Sequence, residues 1–231
     1  YTILHHRMTS TLSTIRTRIH ATSPTLEARD LCCRRGDRLL LTEISFTLAC
    51  GEILQITGAN GTGKTTLLRM IASLTQPDSG TLHWRGQPLE KVRSAYLRDL
   101  IYVGHADGVK GSLSVAENLT LASALHGGGI PINAAMQRLG LGDLADTLTH
   151  RLSAGQRRRL ALARLLVNQA SLWLLDEPFT ALDKPAIKTV ASMLEEHAAR
   201  GGLVIFTSHH STDITISRAL HLEDQREWNG D

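Results

Sequence analysis

Ile53-Leu54-Gln55-Ile56-Thr57-Gly58-Ala59-Asn60-Gly61-Thr62-Gly63-Lys64-Thr65-Thr66-Leu67-Leu68 is the stretch on which the reading of this chain turns. An apolar β-type run at residues 53–57 feeds a glycine-rich turn, and residues 67–71 continue with helical spacing. Glycines let a backbone turn its N–H groups inward with no Cβ in the way, and a helix N-terminus adds partial positive charge. Lys64 supplies a point charge for β- and γ-phosphates, and the Thr65 hydroxyl is a candidate ligand for Mg²⁺. Residues 58–66 therefore read as a triphosphate loop. Its nucleotide-binding set is Gly58, Ala59, Asn60, Gly61, Thr62, Gly63, Lys64, Thr65 and Thr66, with Lys64 also a catalytic candidate. A glycine turn arising by chance would lack the strand before it and the helix after it.

Working outward, β-type runs at 39–48, 52–57, 100–103, 172–175 and 203–207 alternate with helical runs after Lys64, Ser114, Gln156 and Lys184. This alternation predicts an α/β sheet with helices on its faces. Residues 106–150 show no convincing strand and predict a small helical insert, with residues 26–231 as one domain. Residues 1–25 have no acidic side chain, many Ser, Thr, Arg and His, and no apolar period, so they predict a disordered extension. A transit peptide and an artificial leader are both readings of that composition.

The 231 residues, 42% hydrophobic and 20% charged, suffice for one sizeable core. A formal net charge of +3 is too mild to call for a nucleic-acid partner. Cys32, Cys33 and Cys50 have neither metal-ligand spacing nor an even count, and read as idle thiols. No apolar stretch approaches the roughly 18–20 residues of a membrane span, so membrane work falls to other chains.

Two further motifs carry chemistry. Ser171-Leu172-Trp173-Leu174-Leu175-Asp176-Glu177-Pro178 is a buried strand delivering two carboxylates at its C-terminal end, the edge where open α/β sheets bind ligands. Asp176 is the candidate for holding Mg²⁺ and Glu177 for polarising the attacking water. Taken alone, such a pair is as often a solvated turn. Leu152-Ser153-Ala154-Gly155-Gln156 precedes Arg157, Arg158, Arg159 and an apolar helical face. Ser153 caps that helix, and the small, donor-rich start suits a second phosphate.

In their order, Gly58 to Thr66, the Leu152-to-Gln156 signature, Asp176-Glu177, Ala181-Leu182-Asp183 and His209 resemble the ABC ATPase family over residues 26–224. The resemblance implies an α/β P-loop NTPase cassette with a small helical subdomain and an antiparallel β subdomain. It implies ATP and Mg²⁺ as ligands and a head-to-tail homodimer, in which Ser153, Gly155 and Gln156 of one copy meet the nucleotide of the other. Asp183 would lie at that interface, and His209 would sense the γ-phosphate beside Glu177, with His210 as its rival. Glu177, His209 and Lys64 form the implied catalytic set.

Two positions depart from the family pattern. His105 stands where the family has a glutamine, and is placed with Thr65 and Asp176 on the metal side of the site. Arg35 falls near the family's adenine-stacking aromatic residue; a guanidinium plane can also stack on a base, and a solvated loop residue is the equal alternative.

The stretches 26–31, 55–58 and 202–207, with Gly104, His105, Gly108 and Lys110, look like the ATPases of cytochrome c maturation. That likeness implies haem export with separate transmembrane permease subunits and a peripheral place on the cytoplasmic face of the inner membrane. Another small-substrate ABC transporter is the alternative. One phosphate loop argues against a twin-cassette translation protein, and the absence of a long coiled-coil insertion argues against a chromosome-maintenance ATPase. Retention of Lys64, Glu177 and His209 argues against a dead cassette.

Overall fold

A computed structural model describes residues 25–36, 38–208 and 214–223, and the fold is given for these. Most of the 1–25 extension, and the His209 and His210 candidates, lie outside them. The chain runs β1 (Leu26–Arg35), β2 (Arg38–Leu48), β3 (Ile53–Gly58), α1 (Lys64–Ile71), β4 (Ser79–Trp84), β5 (Gln87–Pro88), α2 (Leu89–Arg98) and β6 (Leu100–Val103). It continues with α3 (Val115–His126), α4 (Ile132–Arg138), two 3₁₀ turns, α5 (Ala154–Leu166), β7 (Leu172–Leu175), α6 (Lys184–Ala199), β8 (Leu203–Thr207) and β9 (Arg218–Leu222).

The strands form two sheets. One is parallel, in the order β6-β7-β8-β3-β9, and the other is antiparallel, in the order β2-β1-β4-β5. Alternate side chains of the parallel sheet enter two different cores. Leu54, Ile56, Leu172, Leu174, Leu203 and Ile205 join α1, α2 and the antiparallel sheet. Ile53, Trp173, Leu175, Val204 and Phe206 join α3, α4, α5 and α6. Burial on both faces explains why these strands read as continuous apolar runs.

Residues 106–150 carry α3, α4 and the 3₁₀ turns, with isolated bridges from Ser114 to Leu148 and from Gly128 to Asn168 and no strand among the described residues. Helix α3 opens on a capping box, Ser114 with Glu117, that satisfies two end groups reciprocally.

Four strands and one helix were not anticipated from sequence. In β1 the register shifts around Asp30, whose φ is +49°, so the apolar alternation breaks. Gly80 of β4 meets that bulge, where a Cβ would strike the carbonyls of Arg29 and Asp30. The short β5 holds only Gln87 and Pro88, and β9 is an edge strand that is mostly exposed. Helix α2 is kinked at Val92, which obscures its period. Helix α5 begins at Ala154, directly after the Ser153 cap read from sequence.

At the opposite end of the parallel sheet from the strand C-termini, His197 of α6 stacks on Trp173, with ring centroids 3.8 Å apart and planes 8° from parallel. Its Nε2 lies 3.1 Å from the Ser171 carbonyl, so the neutral ring carries its proton there. Burial lowers its pKa from 6.5 to about 4, against the favourable Ser171 contact and with the Arg200 charge assisting. Between those values the unfolded chain binds more protons than the folded one, so stability rises with pH across that window and levels off above 6.5. The loss at the acid end is at most roughly 3 kcal/mol. Urea unfolding followed between pH 4 and 7 is expected to show this slope, and His197→Phe is expected to flatten it. Equal slopes in the two proteins would mean that another group is responsible.

Candidate functional site

The C-terminal ends of β3, β6, β7 and β8 converge on a cleft of about 610 Å³ lined by the phosphate loop, Asp176, Glu177, Thr180, His105, Leu40 and Arg35. The loop owes its path to glycine. Gly58, Gly61 and Gly63 have φ of +142°, +83° and +98°, conformations that other residues rarely adopt. A Cβ on Gly58 would lie 2.5 Å from the Leu222 carbonyl oxygen and 2.8 Å from Thr62 Oγ1; one on Gly63 would lie 2.8 Å from Leu41. Gly63 also begins α1 with no side-chain cap, leaving the first N–H groups of the helix to whatever occupies the loop.

Lys64 folds back over this loop. Its Nζ donates to the carbonyls of Gly58 at 2.8 Å and Ala59 at 3.0 Å. Burial lowers its pKa, while Glu177 and Asp176 act in the opposite direction.

Asp176 is buried, and both of its oxygens are used. Thr65 Oγ1 donates to Oδ2 and Thr207 Oγ1 donates to Oδ1, each at 2.8 Å. The Glu177 N–H in turn donates to Thr207 Oγ1 at 2.9 Å. Glu177 has φ of +50°, unusual for a residue with a side chain, and lines the cleft beside its neighbour.

Among the described residues no group of three or more His, Cys, Asp or Glu forms a metal cluster. The hydroxyl and carboxylate of Thr65 and Asp176 do offer the oxygen donors that Mg²⁺ takes with waters and phosphate oxygens. His105 is exposed on the cleft wall, and Arg35 is exposed at the end of β1.

The signature residues are elsewhere. Ser153, Gly155 and Gln156 do not line this cleft. Ser153 and Gln156 form a capping box, Gln156 N–H to Ser153 Oγ at 3.2 Å and Ser153 N–H to Gln156 Oε1 at 2.8 Å. Gly155 packs so closely on the Ala181 backbone that a Cβ would come within 2.8 Å of its oxygen. Asp183 caps α6 and accepts a bond from Arg159 at 2.9 Å.

Two residues of the site escaped the sequence reading. Thr207 ends a strand without any motif around it. Arg158 stood in a quoted basic triplet, yet its spacing to Leu162 and Leu165 puts it on the buried stripe of α5, where a charge needs partners.

Residues 41–180 match the model of the ABC transporter family. The chain belongs to that family. It is 55% identical over 206 residues to the cytochrome c biogenesis ATP-binding export protein CcmA of Nitrosococcus oceani, covering 89% of this chain and 95% of that one. The proteins of the same name from Methylococcus capsulatus and Escherichia coli are 46% and 44% identical, over 81% and 84% of this chain and 92% and 93% of theirs. Among solved structures, an ABC transporter ATP-binding protein from Pyrococcus furiosus superimposes with a TM-score of 0.74 at 29% identity, over 85% of this chain and 96% of that one. The ATP-binding subunit of another ABC transporter gives 0.72 at 25% identity, over 80% of each chain. ABC ATPases bind ATP, generally with Mg²⁺, and the glycine cradle and oxygen donors of this cleft fit both.

The two glycine positions separate strain from collision. Gly58→Ala is expected to weaken ATP binding about tenfold or more, the equivalent of one strained backbone residue. Gly61→Ala, with open space around its Cβ position, is expected to lose less. Titration of both variants with ATP checks this, and equal losses would show that the Leu222 contact does not matter.

Proposed function

We propose that this chain is the ATP-hydrolysing subunit of the ABC transporter that exports haem for cytochrome c maturation. The observation that carries this reading is near full-length identity of 55% to a cytochrome c biogenesis ATP-binding export protein, in a chain with a complete phosphate loop and carboxylate pair. No helix among the described residues is long and apolar enough to cross a membrane, which supports transmembrane permease subunits as partners and a peripheral place on the cytoplasmic face of the inner membrane. Residues 26–231 act as one ABC ATPase domain, with 106–150 as its helical subdomain.

In this reading the N–H groups of residues 58–66 cradle the triphosphate and Lys64 leaves its loop carbonyls to meet the β- and γ-phosphates. Thr65 and Asp176, now hydrogen-bonded to each other, would hold Mg²⁺ through their hydroxyl and carboxylate oxygens. The ion, when bound, neutralises phosphate charge. Glu177 takes the proton of the attacking water. His105 offers a hydrogen bond at the edge of the metal site, and Arg35 stacks on the base.

Ser153, Gly155 and Gln156 serve the nucleotide of a second copy, since they do not line the cleft of their own chain. Dimerisation is general among ABC ATPases, and a head-to-tail homodimer gives those residues a phosphate to bind. Asp183 then lies near the interface, and His209 contributes beside Glu177.

Glu177→Gln is expected to keep ATP affinity, lose about 10²- to 10⁴-fold in turnover, and accumulate as an ATP-bound dimer on sizing. Near-normal turnover would place the base elsewhere. Cells carrying Lys64→Ala are expected to fail to mature c-type cytochromes. Normal cytochromes, with ATP hydrolysis abolished in the purified complex, would remove the haem assignment and leave the ABC ATPase intact.

A further inference from the structure

The turn that carries the two carboxylates is gripped by a side chain from the signature helix. Arg158 is 4% exposed, one turn into α5. Its Nη2 donates to the backbone carbonyls of Asp176 at 2.6 Å and Glu177 at 2.8 Å. Its Nη1 donates to the Gly104 carbonyl at 2.9 Å and to Asp107 Oδ1 at 3.3 Å. All four terminal N–H groups are therefore engaged, while buried Nε has no partner. The guanidinium is held for what its two ends reach: the carboxylate turn on one side and the loop bearing His105 on the other.

The turn needs holding. A side chain at φ of +50° is strained, and such conformations persist where surrounding contacts over-determine them. Glu177 is fixed at its N–H by Thr207 and at its carbonyl by Arg158 and, at 3.2 Å, by the Thr180 N–H. Of these contacts, Arg158 alone fastens the carbonyls of both acidic residues. Only a planar fork with several donors does this; an ammonium group reaches part of the set.

We infer that Arg158 is a positioning residue for hydrolysis: it holds Glu177 in its left-handed conformation with the carboxylate on the cleft, and ties that geometry to the signature helix and the His105 loop. The inference rests on the proposed role of Glu177 as the base. It assigns Arg158 no contact with nucleotide, so its loss acts on turnover and leaves ATP affinity alone.

The test is a double-mutant cycle on the full chain in its membrane complex, with R158M and R158K each made alone and combined with E177Q. ATP affinity and single-turnover hydrolysis are measured for every protein. R158M is expected to lose about 10²-fold in rate, the penalty of a misplaced catalytic group, with ATP affinity unchanged. R158K, keeping charge without the fork, is expected to fall between R158M and the parent. In the E177Q background either substitution is expected to change the residual rate little, because the group it positions is already gone. Additive losses across the cycle, or parental rates in both single variants, overturn the inference and leave the proposed function standing. Near-normal turnover in E177Q overturns both. If R158M does not fold, R158K carries the cycle; if neither folds, Arg158 belongs to stability and the inference fails.

Discussion

A buried carboxylate must find hydrogen-bond partners for its oxygens, and Asp176 finds them in Thr65 and Thr207. Those partners arrive on two different units, the loop-helix unit β3-α1 and the strand β8, while Asp176 itself follows β7. The satisfaction of one charge thus requires the strand order β7-β8-β3, with the C-terminal ends level. That order in turn requires both faces of the sheet to be apolar, and the two cores supply the covering helices and the antiparallel sheet. On the proposed roles the same constraint sets the chemistry, because the oxygens that Asp176 and Thr65 bring together are donors of the kind a hard cation would take.

Much of this was legible because it is local. Strands buried on both faces produce uninterrupted apolar runs, which is why 100–103, 172–175 and 203–207 could be bounded to the residue. The phosphate loop is legible for the same reason, since Gly58, Gly61, Gly63, Lys64 and Thr65 act within one turn. The antiparallel sheet came only from the family resemblance. Its strand β1 spends residues on a bulge at Asp30, and Gly80 of β4 answers that bulge across the sheet. A sequence window holds one side of such a pairing and never both. Thr207 and Arg158 were invisible on similar grounds: their partners are at least 30 and 18 residues away, joined only when the parallel sheet forms.

The signature motif illustrates the difference between a correct local reading and a site. Ser153 as a helix cap follows from composition and is present as a reciprocal pair with Gln156. Among the described residues that line the chain's own cleft, none belongs to this end of the helix. Gly155 is instead fitted against Ala181, in the segment that leads to Asp183 and α6. On the proposed roles, this exposed cap, which does not line its own cleft, would meet the nucleotide of another copy.

Helix α5 then acquires two duties separated by little distance. From Ser153 to Arg158 the axial rise is roughly 7.5 Å, within a helix whose later turns are locked into the core by Leu160, Leu162 and Leu165. The exposed cap and the buried guanidinium therefore belong to one rigid body, and neither end can shift without the other. On the proposed roles, the cap would meet the partner's nucleotide while the guanidinium holds the base that serves the chain's own. Because packed interiors transmit displacement instead of absorbing it, occupancy at one site has a short mechanical route to the geometry of Glu177 at the other. The route passes through four hydrogen bonds of one side chain, and through Gly104 it also touches the loop that carries His105. A helix placed this way gives the two sites of a dimer a physical reason to act in concert.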